Sequence, residues 1–267
     1  MTTAPLNVVK TSPSANLRLG NSVRDRVSPA EWEARKELAA LYRLAAHFRW
    51  TDTIYTHISM RVPDESTFLI NPFGLLYEEI TASSLVKVDV EGAVLDDPTG
   101  IGINRAGFVI HGAIHQGRHD VTCVMHTHTA AGAGVSAQKN GLLPISQHAA
   151  ILMGSVGYHE FEGIAVNRDE QRRLVEDLGP RPVLILRNHG LLTAGRSAAE
   201  ALYYMLTLER ACQIQIAAQA GNSELNPISE QSIAATAAVI KGMDLDLSRD
   251  WRAMLRLVER IGPDYCE

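Results

Sequence analysis

Short apolar runs constrain this chain most. Val121-Thr-Cys-Val-Met125 and Val183-Leu-Ile-Leu186 are too brief for ordinary helices and read as strand segments buried in a sheet. The first leads directly into His126-Thr-His128. The second is joined to Leu191-Leu192-Thr193 through Asn188-His189-Gly190, a natural tight turn, so three imidazoles fall at strand ends. Side chains at i and i+2 of a strand share a face, whereas on a helix they diverge by roughly 200°. His126 and His128 can therefore grip one cation. With His189 they make a three-histidine set that leaves a coordination position open, the arrangement of a catalytic site rather than a closed structural one. Spacing alone leaves the other reading open, because His-X-His pairs arise often by chance in a chain with ten histidines.

Composition narrows the partners. With 267 residues, 46% of them hydrophobic and 21% charged, the chain can bury a sizeable core. No interior Pro/Gly/Ser-rich linker divides it, so a flexible N-terminal extension over 1–27 and a single domain over 28–267 are expected. The net charge of −5 and scattered arginines leave no basic footprint for nucleic acid. Neither a signal-peptide core nor an apolar stretch near ~18 residues is present, so the expected location is cytoplasmic and no membrane partner is expected. Cys123, Cys212 and Cys266 lack metal or redox spacing, and the first two read as buried thiols. A small solute is the expected partner.

Helical and extended patterns alternate along the chain. Ser28-Pro29-Ala30-Glu31 starts a helix reaching about Phe48. His57–Val62, Thr67–Asn71 and Val86–Val90 carry β-branched residues between turn formers and suggest hairpins. Helices are expected over Gly107–Gly117, Thr129–Gln138 and Arg168–Leu178, and a long one from the capping signal at Ser197 to Gly221. Pro227–Lys241 and Leu247–Ile261 also look helical. These patterns predict a three-layer α/β/α sandwich with an antiparallel or mixed sheet.

Four segments carry a resemblance to a known family. Phe68-Leu-Ile-Asn-Pro-Phe-Gly74, Cys123-Val-Met-His-Thr-His128, Gly141-Leu-Leu-Pro-Ile-Ser146 and Leu184-Ile-Leu-Arg-Asn-His-Gly-Leu-Leu192 resemble the class II aldolase/adducin family, in its adducin-head-like branch. The likeness runs from about Trp32 to Gln219. It implies a mixed, largely antiparallel sheet and a homotetramer with active sites at subunit interfaces. It also implies a divalent cation, zinc first and manganese, cobalt or iron next, on His126, His128 and His189.

Departures from the family pattern bear on the reaction. Its aldolases carry a glutamate base four residues before the histidine that stands here as His111, and this chain has Gly107 there. Their phosphate cradle is changed at Thr56-His57 and Arg105-Ala106, and only Gly74 survives as a substrate-binding position. A guanidinium such as Arg105 suits a carboxylate, so a carboxylate or carbonyl substrate is expected, with a solvated Arg105 as the alternative. Losing CO₂ requires no prior proton abstraction, whereas retro-aldol cleavage does. The resemblance thus implies a metal-dependent carbon–carbon lyase of the decarboxylase type, acting on a hydroxy, keto or hydroxy-aromatic acid. His57, Tyr158 and His159 are the candidate proton donors, and Glu78 or Glu79 could replace the absent base. A sugar-phosphate aldolase or epimerase and a non-catalytic adducin-head-like module are the rival readings. Tyr265 either reaches a neighbouring subunit's site or belongs to a frayed terminus.

Overall fold

A computed structural model describes residues 22–163, 169–221, 224–242 and 247–267. Residues 1–21 of the expected extension and Arg168, the expected start of one helix, lie outside them. Of the remainder of that extension, Val23–Arg26 (α1) forms one helical turn, with Val23 buried beside Trp32 and Ala82.

The long α2, Pro29–His47, begins as the sequence implies, with the Ser28 hydroxyl accepting from Glu31 N–H and proline at its first position. Four strands follow: β1 (His57–Arg61), β2 (Thr67–Ile70), β3 (Val86–Asp89) and β4 (Val94–Asp96). Next come α3 (Arg105–Gly117), β5 (Cys123–Thr127), α4 (Ala130–Ser136), α5 (Gln147–Leu152) and β6 (Val156–His159). The chain continues through α6 (Asp169–Leu178), β7 (Val183–Leu186), β8 (Gly190–Gly195) and α7 (Ala198–Gln219) to α8 (Glu230–Gly242) and α9 (Ser248–Ile261). β4, α5 and β6 are too short or too mixed in pattern to have been read from the sequence. The β5 strand starts two residues later than the apolar run and extends two further, through His126.

The strands form one eight-stranded sheet in the order β4-β3-β2-β1-β5-β8-β7-β6, with every pairing antiparallel except β6 with β7. Strand alternation sorts its side chains to two faces. Ile58, Met60, Cys123, Met125, Ile185 and Leu191 pack beneath α2 and α7. Val124, Leu184, Leu186 and Leu192 pack on the opposite face against Val109, Ile110 and Ile114 of α3 and Leu174 and Leu178 of α6. The result is an α/β/α sandwich around a mixed, largely antiparallel sheet.

The C-terminus is docked. Arg43 holds Asp264 through two hydrogen bonds of 3.1 and 2.9 Å, and the carbonyls of Tyr265 and Glu267 accept from Ala82 and Ser83 N–H. Tyr265 packs against its own protomer's core, which replaces the frayed terminus the sequence allowed.

Candidate metal centre

β1 and β5 pair so that His57 lies opposite His126, and β5 pairs with β8 so that His126 lies opposite Leu192. His128 follows immediately after β5. His189 occupies the turn between β7 and β8, where Asn188 adopts the left-handed conformation (φ 55°) that asparagine tolerates. Gly190 lets the strands meet: a Cβ there would stand 2.3 Å from the Thr127 carbonyl oxygen and 3.1 Å from the His128 ring.

The three rings converge. His128 Nε2 lies 2.8 Å from His126 Nε2 and 2.9 Å from His189 Nε2, and the three candidate ligand atoms lie within 4.8 Å of one another. Outer partners fix two of the rings. His126 Nδ1–H donates to the Leu191 carbonyl at 2.9 Å, and His128 Nδ1–H donates to Asp52 Oδ2 at 3.1 Å. In neutral rings this leaves two Nε2 lone pairs facing each other at 2.8 Å with no proton between them. A cation resolves that repulsion, so the donor set fits a metal, with both rings oriented as metal-binding histidines usually are. Burial, then the nearby His189, His57 and His128, holds His126 well below the ordinary histidine value. Burial, then His128 and His159, lowers His189 to about 4. Neutral imidazoles of this kind are ready ligands.

A cavity of about 290 Å³ opens on this set, lined by Asp52, Tyr55, His57, Asn104, Ala106, Ile110, Phe161 and the three imidazoles. Its walls gather only part of the expected site. His57 reaches the cavity. Arg105 does not: Asn104 and Ala106 on either side of it line this cavity, while Arg105 lines another with Gly92, Gly102 and Phe108. Successive helical residues diverge by roughly 100°, which turns Arg105 away from its neighbours. Gly74 lies beside Ile101, outside the cavity lining.

Tyr158 and His159 are adjacent on β6 and so point to opposite faces. Tyr158 packs with the α2/α7 side, where its hydroxyl accepts from Leu142 N–H at 3.1 Å and Arg187 covers its ring. His159 is on the side of the metal set, but Asp177 and Glu170 engage its two nitrogens at 2.7 and 3.3 Å. Neither candidate base comes near: Glu79 caps Leu76 N–H, and Glu78 borders a cleft with Arg43 and Ile261.

Two supporting features escaped the sequence. Buried Glu209 of α7 accepts through one oxygen from the hydroxyls of Thr127 (3.3 Å) and Thr129 (2.6 Å), clasping the segment that carries His128. Glu209→Ala should weaken zinc binding about 10-fold in chelator competition, as loss of an outer partner usually does, while Glu209→Gln, which keeps the accepting oxygen, should bind near wild type. Equal zinc affinity in all three proteins would refute this clasp.

The second feature is a buried histidine network behind the cavity. His57 Nδ1 lies 2.8 Å from His111 Nε2, and Ser59 Oγ bridges His111 Nδ1 and His115 Nε2, the latter at 2.7 Å. His57-X-Ser59 on a strand and His111-X₃-His115 on a helix each place two polar groups on one face, the signal that could have revealed it. Burial keeps His111 well below the ordinary value and lowers His115 to about 3, with nearby Arg61 adding to the latter. Because these folded-state values are depressed, the stability they confer is full above about pH 6.5, the unfolded value, and declines as pH falls toward the folded values. Denaturant titrations should show stability declining from pH 6.5 to pH 4, with His115→Phe flattening that decline by up to about 1.4 kcal/mol per pH unit. An unchanged slope would contradict a neutral buried His115.

Comparisons with known proteins bear on the family and the fold. The family described as Class II Aldolase and Adducin N-terminal domain matches residues 36–216, so the chain belongs to that family. A crystal structure of an aldolase II superfamily protein from Pseudomonas syringae is 58% identical, with a TM-score of 0.88, covering 92% of this chain and 100% of that one. An L-fuculose 1-phosphate aldolase from Glaciozyma antarctica PI12 is 27% identical, with a TM-score of 0.76, covering 91% of this chain and 95% of that one. Alpha-adducin of Rattus norvegicus is 52% identical over 185 residues, which are 68% of this chain and 25% of adducin. This chain therefore matches about a quarter of that adducin's length. Among the described residues no helix is long and apolar enough to cross a membrane.

Proposed function

We propose that this protein is a metal-dependent carbon–carbon lyase of the decarboxylase type, acting on a small hydroxy, keto or ortho-hydroxy-aromatic acid. One observation carries the reading: the position of the family's glutamate base is Gly107, and the His57 ring fills the space there. A Cβ on Gly107 would stand 2.4 Å from the ring carbon Cδ2 of His57. Among the described residues Asp52 is the one carboxylate in the cavity lining, and it is engaged with His128.

His126, His128 and His189 would hold the cation through their Nε2 atoms, zinc foremost and manganese, cobalt or iron as alternatives. When bound, it supplies Lewis-acid polarisation of a keto or phenolate oxygen. The N-terminus of α3 opens on the same space through Asn104 and Ala106, and its positive dipole end favours an anionic substrate. Ile110 and Phe161 supply apolar wall, which weakens hydration of the carboxylate that leaves. The broken bond's electron pair stays on the substrate and is discharged by a proton from solvent at the cavity mouth. His57 alone of the three candidate donors faces that space. The same proposal has the enzyme working as a cytoplasmic homotetramer with sites near subunit interfaces, and a monomer in gel filtration at micromolar concentration would remove that part.

Incubation of the zinc-loaded protein with 2-keto-3-hydroxy acids and ortho-hydroxy aromatic acids should release CO₂. Silence across both panels would overturn the reading. The likeness to the Glaciozyma antarctica aldolase supports a second one, sugar-phosphate cleavage. Turnover of L-fuculose 1-phosphate, with no CO₂ from either acid panel, would favour it.

A further inference from the structure

The network behind the cavity has a direction. His57, His111, Ser59 and His115 form a single file of hydrogen bonds, and all four residues are buried. A neutral imidazole carries one proton and a hydroxyl carries one, so the file can run in only two ways. In the first, His115 Nε2–H donates to Ser59, Ser59 O–H to His111 Nδ1, and His111 Nε2–H to His57 Nδ1. His57 then carries its proton on Nε2, with no acceptor left for it in the file. In the second, every bond is reversed: His57 Nδ1–H donates inward, and its Nε2 is a bare lone pair.

The far end of the file decides between them. Among the described residues, His115 Nδ1 is buried without a hydrogen-bond partner. In the first direction that atom is a lone pair, and in the second it is an N–H. Buried N–H groups without an acceptor are rarer in proteins than acceptors without a donor. The surroundings favour the same answer: Phe68 stacks on the His115 ring at 4.6 Å and offers no acceptor in the ring plane, and Arg61 donates to the His115 carbonyl, bringing a cation near the ring.

We infer that Ser59, His111 and His115 act as positioning residues that fix His57 as the Nε2–H tautomer, making it a neutral hydrogen-bond donor to the substrate rather than a base or a fourth metal ligand. The file ends blind at His115, so no second proton can follow one released at Nε2. His57 therefore keeps its proton and acts electrophilically. It stabilises negative charge developing on a substrate oxygen, as neutral histidines do in some enolising enzymes, and solvent supplies the proton that ends the reaction. A bare Nε2 would instead meet the anionic substrate with a lone pair. The inference rests on the reading that this cavity receives the substrate, but its test does not depend on turnover.

Protein labelled with ¹⁵N-histidine, zinc-loaded and metal-free, would be examined by long-range ¹H–¹⁵N correlation, with the His57 signals assigned by their loss in His57→Gln. The expected spectrum has His57 protonated on Nε2 and bare on Nδ1 in both forms. Ser59→Ala breaks the file and should yield a mixture of tautomers, and Ser59→Thr, which restores the hydroxyl, should return the single one. His57 protonated on Nδ1 in the wild type overturns the inference, and that spectrum decides the matter even if Ser59→Ala fails to fold. A Ser59→Ala spectrum identical to the wild type also overturns it, since the file would then not set the tautomer. An Nε2–H spectrum without CO₂ release would sink the decarboxylase and leave the polarity standing; CO₂ release with an Nδ1–H spectrum would do the reverse.

Discussion

Alanine in place of His126 should strip the metal, taking zinc content from about one equivalent per chain to below about a tenth. Loss of an outer partner of a metal ligand already costs about 10- to 100-fold in affinity, and removal of the ligand itself costs more. His126 is the candidate ligand with most to lose. It is buried, its Nδ1 is tied to Leu191 O across the β5–β8 pair, and its Nε2 lies against His128. Two ligands would remain, one on a segment past the end of β5 and one in a turn, and neither is held by a flanking strand on both sides. Elemental analysis of protein purified without chelator, with circular dichroism to confirm the fold, measures the effect. Full zinc occupancy in a folded His126→Ala protein would remove the metal centre and the reaction built on it.

Gly107→Ala carries the second large effect, and its sign runs against helix propensity. A glycine-to-alanine change inside a helix ordinarily gains about 1 kcal/mol. Here the new methyl group would meet the His57 ring at 2.4, 2.7 and 2.9 Å. That ring cannot step aside easily, because it belongs to β1, is hydrogen-bonded to His111 and lies 5.1 Å from the His126 ring, centroid to centroid. Overpacking of this kind costs about 1–3 kcal/mol, so the net change in urea unfolding should be a loss. In a His57→Ala background the obstacle is gone, and the same substitution should become neutral or stabilising. Such a reversal is the signature of direct contact in a double-mutant cycle. If Gly107→Ala behaves identically in both backgrounds, His57 does not occupy the space of the missing glutamate, and the argument against an aldolase loses its support.

Much of this site could be read before any coordinates. The histidine pair 126 and 128 declared itself through strand periodicity, and His189 through the turn at Asn188-His189-Gly190. The capping hydroxyls of Ser28 and Ser197 fixed the starts of the two longest helices. Those signals are local, since each depends on residues within one turn or one strand. Arg105 shows where local reasoning stops: a cation beside the site in sequence lies on the far side of its helix, because 3.6-residue periodicity separates neighbours that text sets together. Tyr158 fails similarly, since β6 was not recognised and a strand turns Tyr158 and His159 to opposite faces.

By itself the sequence determined the layered architecture and three candidate ligands, because periodicity and turn chemistry act over a few residues, and four motifs in order carried the resemblance to the family. Only the tertiary structure decided that His57 fills the void at Gly107, that Asp52 orients His128, and that a file of buried donors ends at His115. Those relations join groups as far apart in sequence as Asp52 and His128, separated by 76 positions. They arise when sheet pairing and helix packing bury polar side chains together, where each must find its partner among whatever the fold has brought within reach.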